Sequence, residues 1–291
     1  MLHVDKVFCL TLPLRQLGNA PRERFVIYQR DLHRMARKTL TESTMVEGDR
    51  YSFTELGESV LDRPACAGEL RGVDLTIFAY WTPECDPDYS AFGPYFMERY
   101  HLQGHSFDVC DTGSLSASYA LMVADRYLSC GSATRVLILG MEQTTIPRNE
   151  SLGLPIPRQS SAIAALLSSA EMPGSRWQLL EAGQIDEWQV AAGLDSLGFV
   201  TALSMRHAVD GDFVLLTQHV GHFAKVLRFQ LETSHEECRW RFAYLDPSVS
   251  SMHVFRFLAG DTLEPLSQRT VLLVDHDVES LRLAWTAWRR H

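Results

Sequence analysis

Short apolar runs recur along the chain, and between them lie stretches whose apolar residues return at helical spacing. The opening LHVDKVFCLTLPL reads as a strand. Residues 22–39 form a charged amphipathic helix, followed by a polar connection through Gly48 and Asp49. Residues 74–80 are an apolar run of strand length that ends in the breaker-rich WTPECDPDYS, and a helix is predicted over 91–102. A second strand spans 106–109. The helix after it, 114–129, places Leu115, Tyr119, Met122, Val123 and Tyr127 at helical spacing. Residues 135–139 read as a buried strand, and 146–157, with three prolines, as a loop. Residues 161–167 return to the core, and 171–175 form the seam between two halves, 1–172 and 173–291. The second half continues as helix (188–207), strand (213–217), helix (223–231), strand (241–245), helix (250–258) and strand (270–274). Alternating strands and helices predict sheets whose faces helices cover. The terminal 281–288 fits a helix or a final strand equally well.

One unit in this pattern occurs twice. Residues 107–139 reappear in outline as 242–274. Each copy opens on Phe (Phe107, Phe242) and reaches Asp four residues later (Asp111, Asp246). Each passes a Ser-aliphatic-Ser step, a helical stretch and an apolar run led by Arg135 or Arg269. Phe to Arg is 28 positions in the first copy and 27 in the second, and the extra residue is most simply Gly113. Upstream, Asp74-LTIFAY and Asp212-FVLLTQ precede their Phe by 33 and 30 residues. A duplicated α/β half explains both pairs and brings two strand-to-helix corners together about a pseudo-twofold.

Composition narrows the functions open to such a chain. It has 291 residues, 46% hydrophobic and 22% charged, ordinary for a globular protein with a large core. A net charge of -9 argues against a nucleic-acid surface. No apolar run approaches the roughly 20 residues that cross a bilayer, and no signal-like segment opens the chain, so membrane insertion is not expected. The six scattered cysteines (Cys9, Cys66, Cys85, Cys110, Cys130, Cys238), without a C-x-x-C pair, read as reduced thiols in a cytoplasmic protein. His219-x-x-His222 lacks the Glu or Cys partners of a metal site, and Gly140 lacks a dinucleotide-binding context. Neither a metal nor a cofactor is expected.

The chemistry should sit at the first corner. A helix N-terminus presents free N–H groups and a positive dipole end, which stabilise a thiolate or an oxyanion. Ser114 stands there, either as a nucleophile or as an N-cap, the usual work of Ser at such a position. The segment FDV…YALMVADRYLSCGSATRVLILGME resembles the nucleophile segment of ketoacyl-ACP synthase III and its relatives in the thiolase superfamily. The resemblance extends to residues 74–80 with Thr82-Pro83, to 161–167, to 212–231 and to 244–274, about two-thirds of the chain. It implies a thiolase-like αβαβα layered fold made of two similar halves. It also implies dimerisation through the strand 106–109, and work on acyl-CoA or acyl-carrier-protein thioesters.

The departures from that family carry as much information. Its members use Cys, His and Asn. Here the Cys position falls on Ser114 or Gly113, and Cys110, at the strand end, reads as a small core residue. The His position falls on Thr217, or on His219 with a small gap, and the Asn position meets Asp246. The family's Gly-rich loop is replaced by Asp275-His276-Asp277-Val278-Glu279. Two mechanisms follow. Ser114, His219 and Asp246 could form a serine-type triad for an acyltransferase or thioesterase. Alternatively the site is degenerate and the chain partners a homologous catalytic condensing subunit in a heteromer, with a homodimer as the other assembly open to it. The corner Asp111-Thr112-Gly113-Ser114-Leu115 resembles that of the short, cysteine-less subunit of alkylquinolone synthase. Three substitutions and a charged loop favour the second reading.

Overall fold

Among the described residues ten strands pair into one sheet whose order reads as a palindrome of two five-stranded halves. In a computed structural model, the described residues are 1–15, 23–35, 37, 48–81, 84, 86–110, 112–145, 157, 159–186, 214–217, 241–244, 251–260, 270–277 and 282–291. The first half contains β1 (Leu2–Thr11), β2 (Leu75–Tyr80), β3 (His105–Val109), β4 (Arg135–Glu142) and β5 (Ser161–Ser168). The second contains β6 (Trp177–Asp186), β7 (Val214–Thr217), β8 (Arg241–Tyr244), β9 (Thr270–Asp277) and β10 (Arg282–Arg290). The order is β3-β2-β4-β5-β1-β6-β10-β9-β7-β8. In each half the three outermost strands run parallel: β2 pairs with β3 and β4, and β7 with β8 and β9. The remaining pairings are antiparallel, including the short β1–β6 contact that joins the halves.

The strand registers bear on the repeat. Ile77 pairs with Phe107 and Ile138, while Leu215 pairs with Phe242 and Leu272. These are the residues that the two sequence copies set in correspondence. The faces, however, are one residue out of phase. Val136 and Ile138 of β4 join the core between the half-sheets, whereas in β9 it is Val271 and Leu273 that do so. A one-residue slip reverses every side chain on a strand, so the structural counterpart of Glu142 at the end of β4 is Asp277 at the end of β9.

Helices occupy the layers. α1 (Glu23–Met35) lies at the surface, with Ile27 and Met35 exposed. α2 (Phe53–Leu61), the single turn α3 (Pro64–Ala67) and α4 (Phe92–Arg99) cover the outer face of the first half-sheet. Phe53, Phe78, Phe92 and Tyr80 meet there in tilted and edge-on ring contacts. α5 (Ser116–Ser129) and α6 (His253–Ala259) form the middle layer. Ala117, Ala120, Leu121 and Ala124 of α5, with Val254, Phe255 and Leu258 of α6, pack against strands of both half-sheets in one continuous core. The small residues of α5 let it approach closely. Gly140 does the same for β4, since a Cβ there would overlap Met252 at the start of α6.

The terminal segment, open between helix and strand in the sequence, is a strand, β10, because it pairs on both sides, with β6 and β9. Other expectations are corrected. β4 and β9 run three residues beyond the predicted 135–139 and 270–274, so Asp275-His276-Asp277 belongs to a strand and not to a loop. β6 and α2 were not anticipated. The signal for α2 is present in Ser52-Phe53-Thr54-Glu55, a capping box in which Ser52 Oγ accepts the Glu55 N–H and the Glu55 carboxylate accepts the Ser52 N–H. The predicted helices 188–207 and 223–231 lie outside the described residues. No described helix is long and apolar enough to cross a membrane. Cys66 and Cys130 are free thiols.

Candidate active site

The first corner is built where β3 gives way to α5. Tyr80, at the end of β2, donates its hydroxyl to Asp108 Oδ2 at 2.8 Å, and burial with that carboxylate pushes the phenol well above its ordinary range. Cys110 follows β3 and is half-buried. Gly113 then takes φ +59°, a left-handed conformation that a side chain would strain, and a Cβ there would overlap the Asp277 carboxylate. A 3-10 turn, Gly113–Leu115, leads into α5, so the helix begins at Ser116 rather than Ser114. Neither N-cap residue, Thr112 of the turn nor Leu115 of α5, makes a side-chain cap hydrogen bond.

Asp277 of the other half supplies an acceptor there. Its Oδ1 receives both the Ser114 N–H and the Ser114 hydroxyl, each at 3.1 Å. Two residues back along β9, Asp275 Oδ2 receives the Ser118 hydroxyl at 2.7 Å, while His253 Nε2 of α6 lies against Asp275 Oδ1. The spacing explains the match: two residues along a strand advance about 6.6 Å, close to the roughly 6 Å of four residues along a helix. Asp277 and Asp275 therefore form two rungs against Ser114 and Ser118. The rungs are enclosed, with relative exposures of 2% for Ser114 and Ser118, 4% for Asp277, and 3% for Asp275 and His253.

The second corner has the same device in reverse. Glu142 Oε1, at the end of β4, accepts the Ser251 N–H at 2.7 Å and also the Ser251 hydroxyl, just before α6. Each half thus ends a central strand in a carboxylate that grips the start of the other half's helix with one oxygen. A carboxylate suits that place because it meets unpaired N–H groups and the positive end of a helix dipole.

Of the sequence-predicted site residues, Ser114 is at the corner as expected. Asp246, His219 and His222 lie outside the described residues, as does Asp111. β7 ends at Thr217, one of the two candidates for the His position, and the other, His219, lies outside the described residues. Among the described residues no group of three or more His, Cys, Asp or Glu side chains is placed to hold a metal. The sequence pointed to Asp275 and Asp277 only as a charged loop; their contacts with Ser114, Ser118 and His253, and the Glu142–Ser251 contact, were missed. The available signal was the pair of spacings, Asp-x-Asp against Ser-x-x-x-Ser, which only a strand through residue 277 makes meaningful. An open cleft of about 570 Å³ lies elsewhere, on the outer face by α2, and is lined by Arg15, Tyr51, Glu55 and Asp62. Arg15 is paired there with Glu55 at 2.6 Å and Asp62 with Arg99 at 3.0 Å.

No family model matches the sequence, and no curated protein is similar to it. Solved structures match over essentially the whole chain. The fold defined by the palindromic sheet and buried helix pair is the thiolase-like αβαβα fold, built of two similar halves, and it is the fold of ketoacyl-ACP synthase III condensing enzymes. AbyA1, a tetronic acid condensing enzyme, superposes with a TM-score of 0.64 at 16% identity, covering 99% of this chain and 100% of that one. A cysteine-to-serine variant of OleA from Xanthomonas campestris, with lauric acid and lauroyl-CoA bound, gives 0.61 at 13% identity, covering 99% and 98%. The ketoacyl-ACP synthase III of Thermus thermophilus gives 0.56 at 18% identity, covering 98% of each chain.

Proposed function

We propose that this chain is a ketoacyl-ACP synthase III-like subunit with a degenerate Cys-His-Asn site. In this reading it is the partner of a catalytic condensing subunit in acyl transfer or carbon–carbon condensation on acyl-CoA or acyl-carrier-protein thioesters. The observation that carries the reading is the double hydrogen bond from Ser114 to Asp277. Acyl transfer needs a nucleophile whose proton can be removed, and donors aimed at the developing oxyanion. A carboxylate is far too weak a base to ionise a serine hydroxyl at neutral pH. The same carboxylate takes the Ser114 N–H, the donor an oxyanion would need at this helix start. Neither Gly113 nor Ser114 replaces the family's thiol. The fold likeness to AbyA1, OleA and ketoacyl-ACP synthase III supports the substrate class, acyl thioesters.

The companion is inferred from the edge of the sheet. β3 is the outermost strand of the first half and among the described residues pairs only with β2. It is the strand through which a homologous condensing subunit would dock, in a cytoplasmic heteromer of a specialised biosynthetic pathway. We take residues 1–172 and 173–291 as the two halves of the subunit.

The test is intact-mass analysis after incubation with acyl-CoA and acyl-carrier-protein thioesters. No stable adduct should form. An adduct that disappears in Ser114→Ala and in His219→Ala would replace this reading with a serine acyltransferase or thioesterase acting through Ser114, His219 and Asp246. An adduct that survives Ser114→Ala but is lost in Cys110→Ala would move the nucleophile to Cys110.

A further inference from the structure

We propose that Asp277 is a built-in plug of the first corner: a carboxylate of the second half that holds the donors and the space an acyl thioester would need beside residue 114. The inference rests on taking this corner as the counterpart of the family's nucleophile site. It goes beyond the loss of a cysteine, because it predicts that restoring a thiol alone does not reopen the corner.

Three observations support it independently. First, one oxygen of Asp277 accepts both the backbone N–H and the hydroxyl of Ser114, so the donors are committed to an internal anion. Second, Gly113 and Asp277 are fitted to one another, since any Cβ on Gly113 would overlap the carboxylate. The residue that lengthens the first copy of the repeat is the one that makes room for the plug. Third, Asp277 cannot readily swing away. It lies in a paired strand opposite Arg282 of β10, and the next rung behind it, Asp275 with Ser118 and His253, fixes the same face of β9 to α5 and α6. The reciprocal Glu142–Ser251 contact closes the second corner in the same manner.

A thiol placed at residue 114 should therefore be hindered by the plug in two ways. The carboxylate covers it, and its negative charge opposes thiolate formation, the step that makes a thiol reactive. Removing the carboxylate leaves a thiol at a helix start, where thiolates are favoured. The experiment uses the full chain with Cys130→Ser, which removes an exposed thiol whose hydrogen bond with Ser132 holds its pKa below the ordinary value. Ser114→Cys is then combined with Asp277, Asp277→Ala or Asp277→Asn. Alkylation by iodoacetamide near neutral pH is followed by peptide mass mapping at position 114, with the urea-unfolded chain as reference.

With Asp277 present, labelling should run at least about tenfold slower than in the unfolded chain. Asp277→Ala should raise it by about tenfold or more, in line with thiol activation at helix starts. Asp277→Asn, which keeps the shape and removes the charge, should give an intermediate rate. Equal rates in all three folded proteins overturn the plug. Should circular dichroism show that Asp277→Ala does not fold, the Asn variant decides, and a rate unchanged from that with Asp277 present overturns the proposal. The thioester experiment on the unmodified chain is separate. A plug that fails there with no acyl adduct leaves the degenerate-subunit reading standing, and an adduct with a working plug does the reverse.

Discussion

Gly113 shows how one residue can carry a structural requirement. At φ +59° it needs the left-handed region, and its missing side chain leaves room for the Asp277 carboxylate. Gly113→Ala should cost about 1–3 kcal/mol, combining the left-handed penalty with displacement of a buried, hydrogen-bonded group. Urea unfolding would register this, and an unchanged midpoint would mean that the corner relaxes freely. Asp74, which marks the start of the first copy, has an equally local task. Its carboxylate accepts the Thr134 hydroxyl at 2.6 Å and the N–H groups of Thr134 and Arg135 at 2.9 and 3.0 Å, clamping the start of β4 beside β2. Burial alone would raise its pKa, but those hydrogen bonds outweigh it and hold the carboxyl below its ordinary 3.8. A depressed folded pKa gives stability that is fully present above the unfolded value and lost as pH falls through the folded one. Asp74→Asn should therefore cost about 1–2 kcal/mol at neutral pH, with the gap from wild type closing below about pH 4. A gap independent of pH would sink the clamp.

At the level of elements, α2 offers a clean check because its start is self-contained. The reciprocal Ser52–Glu55 bonds satisfy two donors that the helix itself cannot. Ser52→Ala should destabilise the protein by about 1 kcal/mol, visible as a lower denaturation midpoint, and an unchanged midpoint would show that α2 is held by its apolar face alone. This helix was also legible in the sequence and was passed over, since Ser52-x-x-Glu55 stands directly before Leu56, Val60 and Leu61. What the pattern of the chain did reveal was the elements repeated in both halves. The matched runs at 74 and 212, and at 107 and 242, predicted strands that pair in corresponding register. The phase between the copies was not legible, because a buried strand is apolar on both faces and gives no alternation from which to read it. The same blindness hid the ends of β4 and β9. Charged residues after an apolar run look like a loop, and only Ser114 before α5 and Ser118 within it, more than 150 residues away in sequence, explain why Asp275 and Asp277 can be buried.

The whole molecule is tied together by what each half does for the other. α5 and α6 share one core between the half-sheets, and each has its start gripped by a carboxylate from the opposite half. Residues 1–172 expressed alone would lack α6, Asp277 and the second half-sheet, leaving the core face of β1, with Leu2 and Val4, and the side of α5 that meets them without their cover. That fragment should be insoluble or molten, and the intact chain should unfold in one transition whether followed by near-ultraviolet or far-ultraviolet circular dichroism. A soluble fragment with a sharp melt of its own would show that the halves are independent.

In the proposed heteromer the edge of the sheet is the docking surface, since among the described residues β3 pairs on one side only. β3 offers its outer peptide groups to another strand, and unprotected edges pair with one another. His105, Ser106 and Asp108 are exposed on it, whereas Phe107 and Val109 turn toward the core. Isolated chains should therefore associate weakly in a concentration-dependent way, and co-expression with a catalytic condensing subunit should replace that with a stable heteromer burying a standard-size interface or more. Lysines at an edge oppose strand pairing, so His105→Lys with Ser106→Lys should abolish both associations. Because both side chains are exposed, the thermal midpoint of the isolated chain at low concentration should stay unchanged. Sedimentation and co-purification of the double variant read this directly. If the variant still captures the catalytic subunit as wild type does, the interface lies elsewhere and β3 is not the docking strand.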